Sequence, residues 1–303
     1  MSILDQATSG VLIRPQVYTV YGPNGVGKTT LACSFEEPII LDLEDGSGFV
    51  GGVKRLGSGL LPDFATVEST VTELLSAKHT YKTLVIDSLE ALESLISKAL
   101  CEANEVDSIE AIGFGKGYVM AREKMEGFML KLRGLRDAKK MNVIIVAHST
   151  VKSFNDPKSN STYDRYILRS NDKLASVVKD LSDSIFFINN KVLTQDSKLN
   201  PNKSKAFSTG ERVIHTVWSH AYDAKSRYPV KEEISFTLDN VSQVVEELKP
   251  KSGEDVLFTI NQLKVKVADS DLLSKIEKAI TDAGGNPIKL EAIKARLQQL
   301  VGG

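Results

Sequence analysis

The chain has 303 residues, 38 Lys and Arg against 39 Asp and Glu for a net charge of −1, and 42% hydrophobic and 25% charged residues, a balance that excludes a disordered, collagen-like or fibrous chain. The near-zero charge argues against a strongly basic protein that coats nucleic acid, while leaving room for a local basic surface. No run approaches the roughly 18–20 apolar residues that span a bilayer, the start MSILDQATSG lacks the features of a secretion signal, and Cys33 and Cys101 form no C-x-x-C pair, so a cytoplasmic protein without a disulfide framework or zinc site is expected.

From residue 15 to about 240, short β-branched runs alternate with longer amphipathic segments, the pattern of an α/β protein with a mostly parallel sheet. Strands are predicted at Gln16 to Tyr21, Pro38 to Leu43, Thr83 to Asp87, Asn142 to His148 and Ser184 to Ile188. From Ile39 onward these strands are nearly continuous apolar runs, as expected where helices cover both faces. The clearest helix covers about Gly117 to Lys140, with Tyr118, Ala121, Met125, Phe128, Met129, Leu132 and Leu135 at spacings of three and four. Residues 189–211 are polar and too long for an ordinary connection, so a mobile or functional loop is expected there. Arg212 to Ser219 and Glu233 to Leu238 read as an antiparallel extension of the sheet edge. Beyond Pro250 the pattern turns helical, dividing the chain into a core, 1–250, and a small helical appendage, 251–303.

Residues 22–29, GPNGVGKT, match G-x-x-x-x-G-K-[ST] between a predicted strand and a predicted helix. Gly22, Gly25 and Gly27 permit the tight turn that aims backbone N–H groups at phosphates, with Pro23, Asn24 and Val26 completing the loop, and the helix start at Lys28, Thr29 and Thr30 adds a field that favours negative charge. Lys28 is expected to contact the β- and γ-phosphates of ATP, and the Thr29 hydroxyl to ligate Mg²⁺. Asp87, ending the apolar run TLVID, suits a second Mg²⁺ position; it also suits the N-cap of the following helix, a place that Ser88 can take instead. In IILDLEDG, Glu44 at the strand's carboxyl end is the candidate base for an attacking water, and a solvated acidic turn is the alternative. His148, ending NVIIVAH, is a candidate γ-phosphate sensor or an ordinary strand-end histidine.

Taken together, the phosphate loop, ILDLE, LVIDSLEAL and IIVAHS resemble, in this order, the core of the RecA-type ATPases. The resemblance implies a RecA-like P-loop fold and supports Glu44 as the residue acting on water. AYDAKSRYP at 221–229 is similar to the Lys-x-Arg element of hexameric RecA-like ring ATPases, implying that Lys225 and Arg227 reach a neighbouring subunit's γ-phosphate in a ring or filament. GPNGVGKTT, AHS followed by Lys152, and STYDRYILR make the chain similar, over about residues 12–240, to phage-encoded RecA-like proteins that include single-strand annealing recombinases of the Sak group.

In RecA-type proteins DNA lies against loops at the sheet's carboxyl edge. The matching segment, 149–173, carries Lys152, Lys158, Arg165, Arg169 and Lys173 with Phe154, Tyr163 and Tyr166 interleaved, a mixture suited to the stackable bases and charged backbone of single-stranded DNA. IGFGKGY at 112–118 adds Lys116 between Phe114 and Tyr118. Solvated loops with docking tyrosines are the simpler reading of the same residues. The implied function is a DNA-stimulated ATPase that anneals or exchanges strands, with a single-strand binding protein as a further partner. A helicase or helicase loader, and a nucleotide-gated adaptor with little turnover, are the competing functions.

Overall fold

The structure, a computed structural model, describes residues 5, 7, 11–157, 160–196, 204–267 and 269–301, with backbone alone at 192–196, 204–210 and 301. The chain divides into two compact units. The larger comprises Pro15–Arg227 and Lys231–Leu248; the smaller comprises described residues within 1–14, 228–230 and 249–303.

In the larger unit the strands are β1 (Val17–Gly22), β2 (Pro38–Asp42), β3 (Lys54–Gly57), β4 (Thr83–Asp87), β5 (Asn142–Asp156), β6 (Ser161–Leu168), β7 (Ser184–Asp196), β8 (Ser204–His215), β9 (Lys225–Ser226) and β10 (Glu233–Phe236). The helices are α1 (Lys28–Cys33), α2 (Phe64–Ser76), α3 (Leu89–Ala103), α4 (Lys116–Lys139), α5 (Asp172–Leu181) and α6 (Val241–Leu248). The sheet runs in the order β10-β8-β7-β1-β5-β4-β2-β3. From β7 to β3 every neighbour is parallel, and β8 and β10 form the antiparallel extension. The strand carrying the phosphate loop therefore lies between β5 and β7, one strand removed from β4. All of these parallel strands present their carboxyl ends, where ligands bind in open α/β sheets, at the same edge.

Alternation places Val143, Ile145 and Ala147 of β5 in one continuous core with Phe64, Val71, Leu92, Ile96, Phe128 and Leu132 of α2, α3 and α4. Ile144 and Val146 point to the other face, and both sets are buried. Burial on both faces explains the unbroken apolar text of these strands. Asp63 caps α2 by accepting from Thr66 N at 2.8 Å, and Asn171 caps α5 by accepting from Lys173 N at 3.0 Å.

Two predicted strands are much longer than their apolar cores. β5 continues past His148 to Asp156 and turns back as β6, pairing Ser149 with Leu168 through Asp156 with Ser161. β7 likewise continues to Asp196 and pairs with β8, with an irregularity between Asn190 and Val192. The loop expected over 189–211 is thus corrected to a two-stranded ribbon on its described residues; residues 197–203 lie outside them. These segments run past the helix-covered part of the sheet, where Val151 and Phe154 of β5 are exposed, and no continuous apolar run marks them.

In the smaller unit α7 (Gly253–Lys264), α8 (Ser270–Ala283) and α9 (Pro287–Val301) enclose a core of Val256, Ile260, Ile276, Ala283, Leu290 and Leu297. Ser252 and Asp255 form a reciprocal capping box that starts α7. No helix among the described residues is long and apolar enough to cross a membrane.

Candidate functional site

β1 ends at Gly22, and the loop to α1 turns through Gly25 (φ 75°) and Gly27 (φ 91°), conformations that a side chain disfavours. A Cβ built on Gly27 would lie 2.9 Å from Phe236 Cε1 and 3.0 Å from Arg212 Nη1, so this position has no room for one. The loop opens onto a cleft of ≈ 340 Å³ lined by Asn24, Gly25, Gly27, Lys28, Thr29 and Thr30 together with Glu44, Asp87, His148, Arg212 and Leu238.

Lys28 Nζ donates to Gly22 O at 3.0 Å and Pro23 O at 2.9 Å, folding back over its own loop. It also lies 3.4 Å from His148 Nδ1. An ammonium can only donate, so Nδ1 accepts and the imidazole proton sits on Nε2, which faces Glu44 Oε2 at 3.5 Å. His148 therefore bridges the loop lysine and the carboxylate. Burial holds the Lys28 ammonium below its ordinary value, opposed first by the charge of Asp87.

Thr29 Oγ1 donates to Asp87 Oδ2 at 2.6 Å. Burial pushes the Asp87 carboxyl above the usual carboxylate range, and Glu44 and Asp42 push it the same way. The alternative capping role falls to the neighbour: Ser88 Oγ accepts from Ala91 N at 3.4 Å and caps α3, leaving Asp87 facing the loop. Thr29 and Asp87 thus offer adjacent hard oxygen donors, a set that fits Mg²⁺.

Asp42 and Glu44 separate in role. Asp42 is buried and accepts from Gly46 N at 2.9 Å, Ser47 N at 2.8 Å and Ser47 Oγ at 2.5 Å, fastening the turn after β2. That turn presents Glu44 to the cleft, where it accepts from the hydroxyl of Ser88. Glu90, which the sequence did not single out, accepts from His148 N at 2.7 Å. Its ligand oxygen, one from Glu44 and a His148 nitrogen all lie within 4.8 Å of one another.

Lys225 and Arg227 are not brought to this cleft. β9 pairs Ser226 with Ser184 and Lys225 with Ile185 at the start of β7, the opposite end of the sheet from the phosphate loop. Lys225 Nζ donates to Lys179 O, and its ammonium is held below the ordinary value by burial and by Arg227. Arg227 Nε stands 3.6 Å from Asp183 Oδ1 and remains 48% exposed.

The predicted DNA-facing residues divide into three groups. On the β5–β6 arm, Phe154 stacks near Tyr163 (centroids 5.5 Å), Tyr163 hydrogen-bonds His220 Nδ1 at 3.3 Å, and the Arg165 guanidinium sits between Phe154 and Trp218, 5.6 Å from each ring. Arg165 and Lys152 are also ion-paired, with Asp223 at 2.7 Å and Asp172 at 2.6 Å. Arg169 stays half-exposed, 3.9 Å from Glu90, while Lys116 begins α4 beside the fully exposed Phe114. Tyr166 differs: it stacks on Phe187 at 5.0 Å and packs against the main core, so it docks the arm. Lys158 lies outside the described residues. Trp218, half-exposed beside Arg165, was missed because a single tryptophan between β-branched and polar residues carries no sequence pattern.

The SPbeta prophage-derived uncharacterized protein YorG of Bacillus subtilis (strain 168) is 24% identical over 235 residues, 76% of this chain; the chain spans 65% of YorG's length. A crystal structure of the RadB recombinase matches at a TM-score of 0.41 and 14% identity, covering 74% of this chain and 88% of that one. A family model described as an AAA domain matches residues 14–228. With that span containing the phosphate loop, the β4 aspartate and the whole parallel sheet, the chain belongs to the AAA domain family.

Proposed function

We propose that the chain is an ATP-binding and ATP-hydrolysing phage recombination protein of the Sak type, which assembles on single-stranded DNA and promotes annealing or strand exchange. The observation that carries the nucleotide half is the convergence of Lys28, Thr29, Asp87, Glu44 and His148 on one cleft. Backbone N–H groups of the loop and the start of α1 bind the phosphates, and Lys28 leaves its own loop carbonyls to neutralise the β- and γ-oxygens. Thr29 and Asp87 hold Mg²⁺, which when bound neutralises charge on the phosphate oxygens. Glu44 orients and deprotonates the attacking water, with Ser88 and His148 fixing its carboxylate.

Self-association is the role we assign to Lys225 and Arg227: they stand at the sheet end away from their own phosphate loop, a position compatible with reaching a neighbouring subunit's site, besides their contacts with Lys179 and Asp183. The DNA half is supported by the arm beyond His148, where Phe154 and Lys152 are exposed and suit a base and a phosphate; the phage attribution is supported by likeness to a prophage-derived protein. The test is ATP turnover with and without single-stranded DNA at stated low salt, together with annealing of complementary strands. DNA-stimulated turnover with annealing is expected. Unwinding of a forked duplex without annealing would instead assign a helicase, and retained ATP with negligible turnover an adaptor.

A further inference from the structure

We propose that Arg212 is a nucleotide-binding residue of its own chain, gripping the diphosphate part of the nucleotide from beside the phosphate loop. Arg212 stands on β8, outside every motif that marks the loop, the metal position or the water position.

Four observations carry this. First, Arg212 lines the same cleft as Gly27, Lys28, Thr29 and Thr30. Second, its guanidinium lies over the ring of Phe236, 5.9 Å from the centroid, and Phe236 is fully buried, so the cation rests on a fixed platform. Third, it stands so close to Gly27 that even a methyl group there would meet it at 3.0 Å. Fourth, among the described residues no carboxylate answers its charge: the Arg212 guanidinium shows neither an ion pair nor a hydrogen bond, although Arg136, Arg165 and Arg169 each face a carboxylate.

A half-buried cation without a counter-charge is costly unless a ligand supplies the charge. Here the supplier must be an anion resting on the loop. A planar guanidinium lying over a ring can turn its N–H edge to two oxygens of a phosphate, which a lysine cannot match. Its neighbour in the loop is Gly27, while Glu44, Asp87 and His148 mark the reacting end. Arg212 therefore contacts the part of the nucleotide common to ATP and ADP, and it differs in role from a γ-phosphate sensor.

The inference rests on the nucleotide-binding reading, and one titration separates the two. Fluorescent ADP and ATP with Mg²⁺ are titrated into the full chain, Lys28→Ala, Arg212→Ala and Arg212→Lys, at two salt concentrations. The expected result is binding by the unaltered chain, loss in Lys28→Ala, a ten- to hundredfold weakening of both nucleotides in Arg212→Ala, and a smaller weakening in Arg212→Lys. The salt dependence of binding should also become shallower in Arg212→Ala, since one cation leaves the contact. The melting temperature of the nucleotide-free variant should not fall, which separates a contact from a structural support. If the unaltered chain binds neither nucleotide, the functional reading fails. If it binds them and Arg212→Ala binds both equally well, or loses ATP while keeping ADP, the inference about Arg212 is overturned and the functional reading stands.

Discussion

The Thr29 hydroxyl donates to Asp87 Oδ2 at 2.6 Å, joining the residue after the loop lysine to the end of β4. The contact keeps a carboxylate in a buried place where, with Glu44 and Asp42 close by, its ionised form is disfavoured. The folded chain thus binds the Asp87 proton more tightly than the unfolded chain does. Between the ordinary carboxylate pKa and the raised folded value, stability contributed by this group falls as pH rises. Asp87→Asn should remove that fall. Without nucleotide, the variant should gain about 0.5–2 kcal/mol at neutral pH and show no gain well below the ordinary carboxylate range, while Mg²⁺-dependent nucleotide binding is lost. Melting curves across pH, with and without Mg²⁺-ATP, check both parts; a variant less stable at neutral pH would contradict the argument.

Glu44 receives the Ser88 hydroxyl and faces the His148 ring. Glu44→Gln should retain ATP binding and slow hydrolysis by about 10²–10⁴-fold, the usual worth of a positioned base. Ser88→Ala should give a smaller loss in the same direction, because the carboxylate remains and only its orientation loosens. Single-turnover hydrolysis beside equilibrium ATP binding separates the two effects, and normal turnover by Glu44→Gln would remove Glu44 from the role.

Arg227 lies at the sheet end far from its own loop. Arg227→Ala and Lys28→Ala should each be inactive, the former slower by about 10³-fold or more if it acts as an arginine finger. Mixed in equal amounts, they should recover part of the activity, since some interfaces then join an intact loop to an intact arginine. No recovery across mixing ratios would argue against a shared site.

Trp218 is the single tryptophan of the chain and stands half-exposed next to Arg165 and Phe154. If bases stack on this cluster, oligo(dT) should quench its fluorescence, and Trp218→Ala should weaken binding by about 1–3 kcal/mol. Retardation of the oligonucleotide with unchanged tryptophan emission would place the strand elsewhere on the protein.

Arg136 and Asp183, both almost fully buried, pair at 2.6 Å, and Asp183 also accepts from Val17 N at 2.9 Å. Asp183→Ala would leave a buried guanidinium with only Asp137 and orphan the start of β1. A loss of about 3 kcal/mol is expected, read by denaturant unfolding with nucleotide affinity measured on the fraction that folds.

What the sequence made legible follows from what is buried. The parallel strands announced themselves because helices cover both faces, and Lys28, Thr29 and Asp87 because the loop chemistry fixes residue type and spacing. β6 and the outer halves of β5 and β7 did not, since they leave the helix-covered sheet and their largely polar text keeps no continuous apolar run. β3 was missed for a related reason: Lys54 and Arg55 lie exposed at the sheet edge. Ser88 and Glu90 reach Glu44 and His148 as neighbours of a recognised aspartate, and Arg212 reaches the cleft through pairing of β8 with β7 and β10, a relationship between distant segments that spacing alone cannot reveal.

β5 has no break between its two halves. His148 is the last residue aligned with β1, opposite Gly22, and Ser149 is the first aligned with β6. The eight residues from Ser149 to Asp156 extend roughly 26 Å at the rise of a strand. The residue that touches both Lys28 and Glu44 and the residues that pair with β6 thus belong to one extended strand, so the cleft and the arm share a single hydrogen-bonded element with no loop between them.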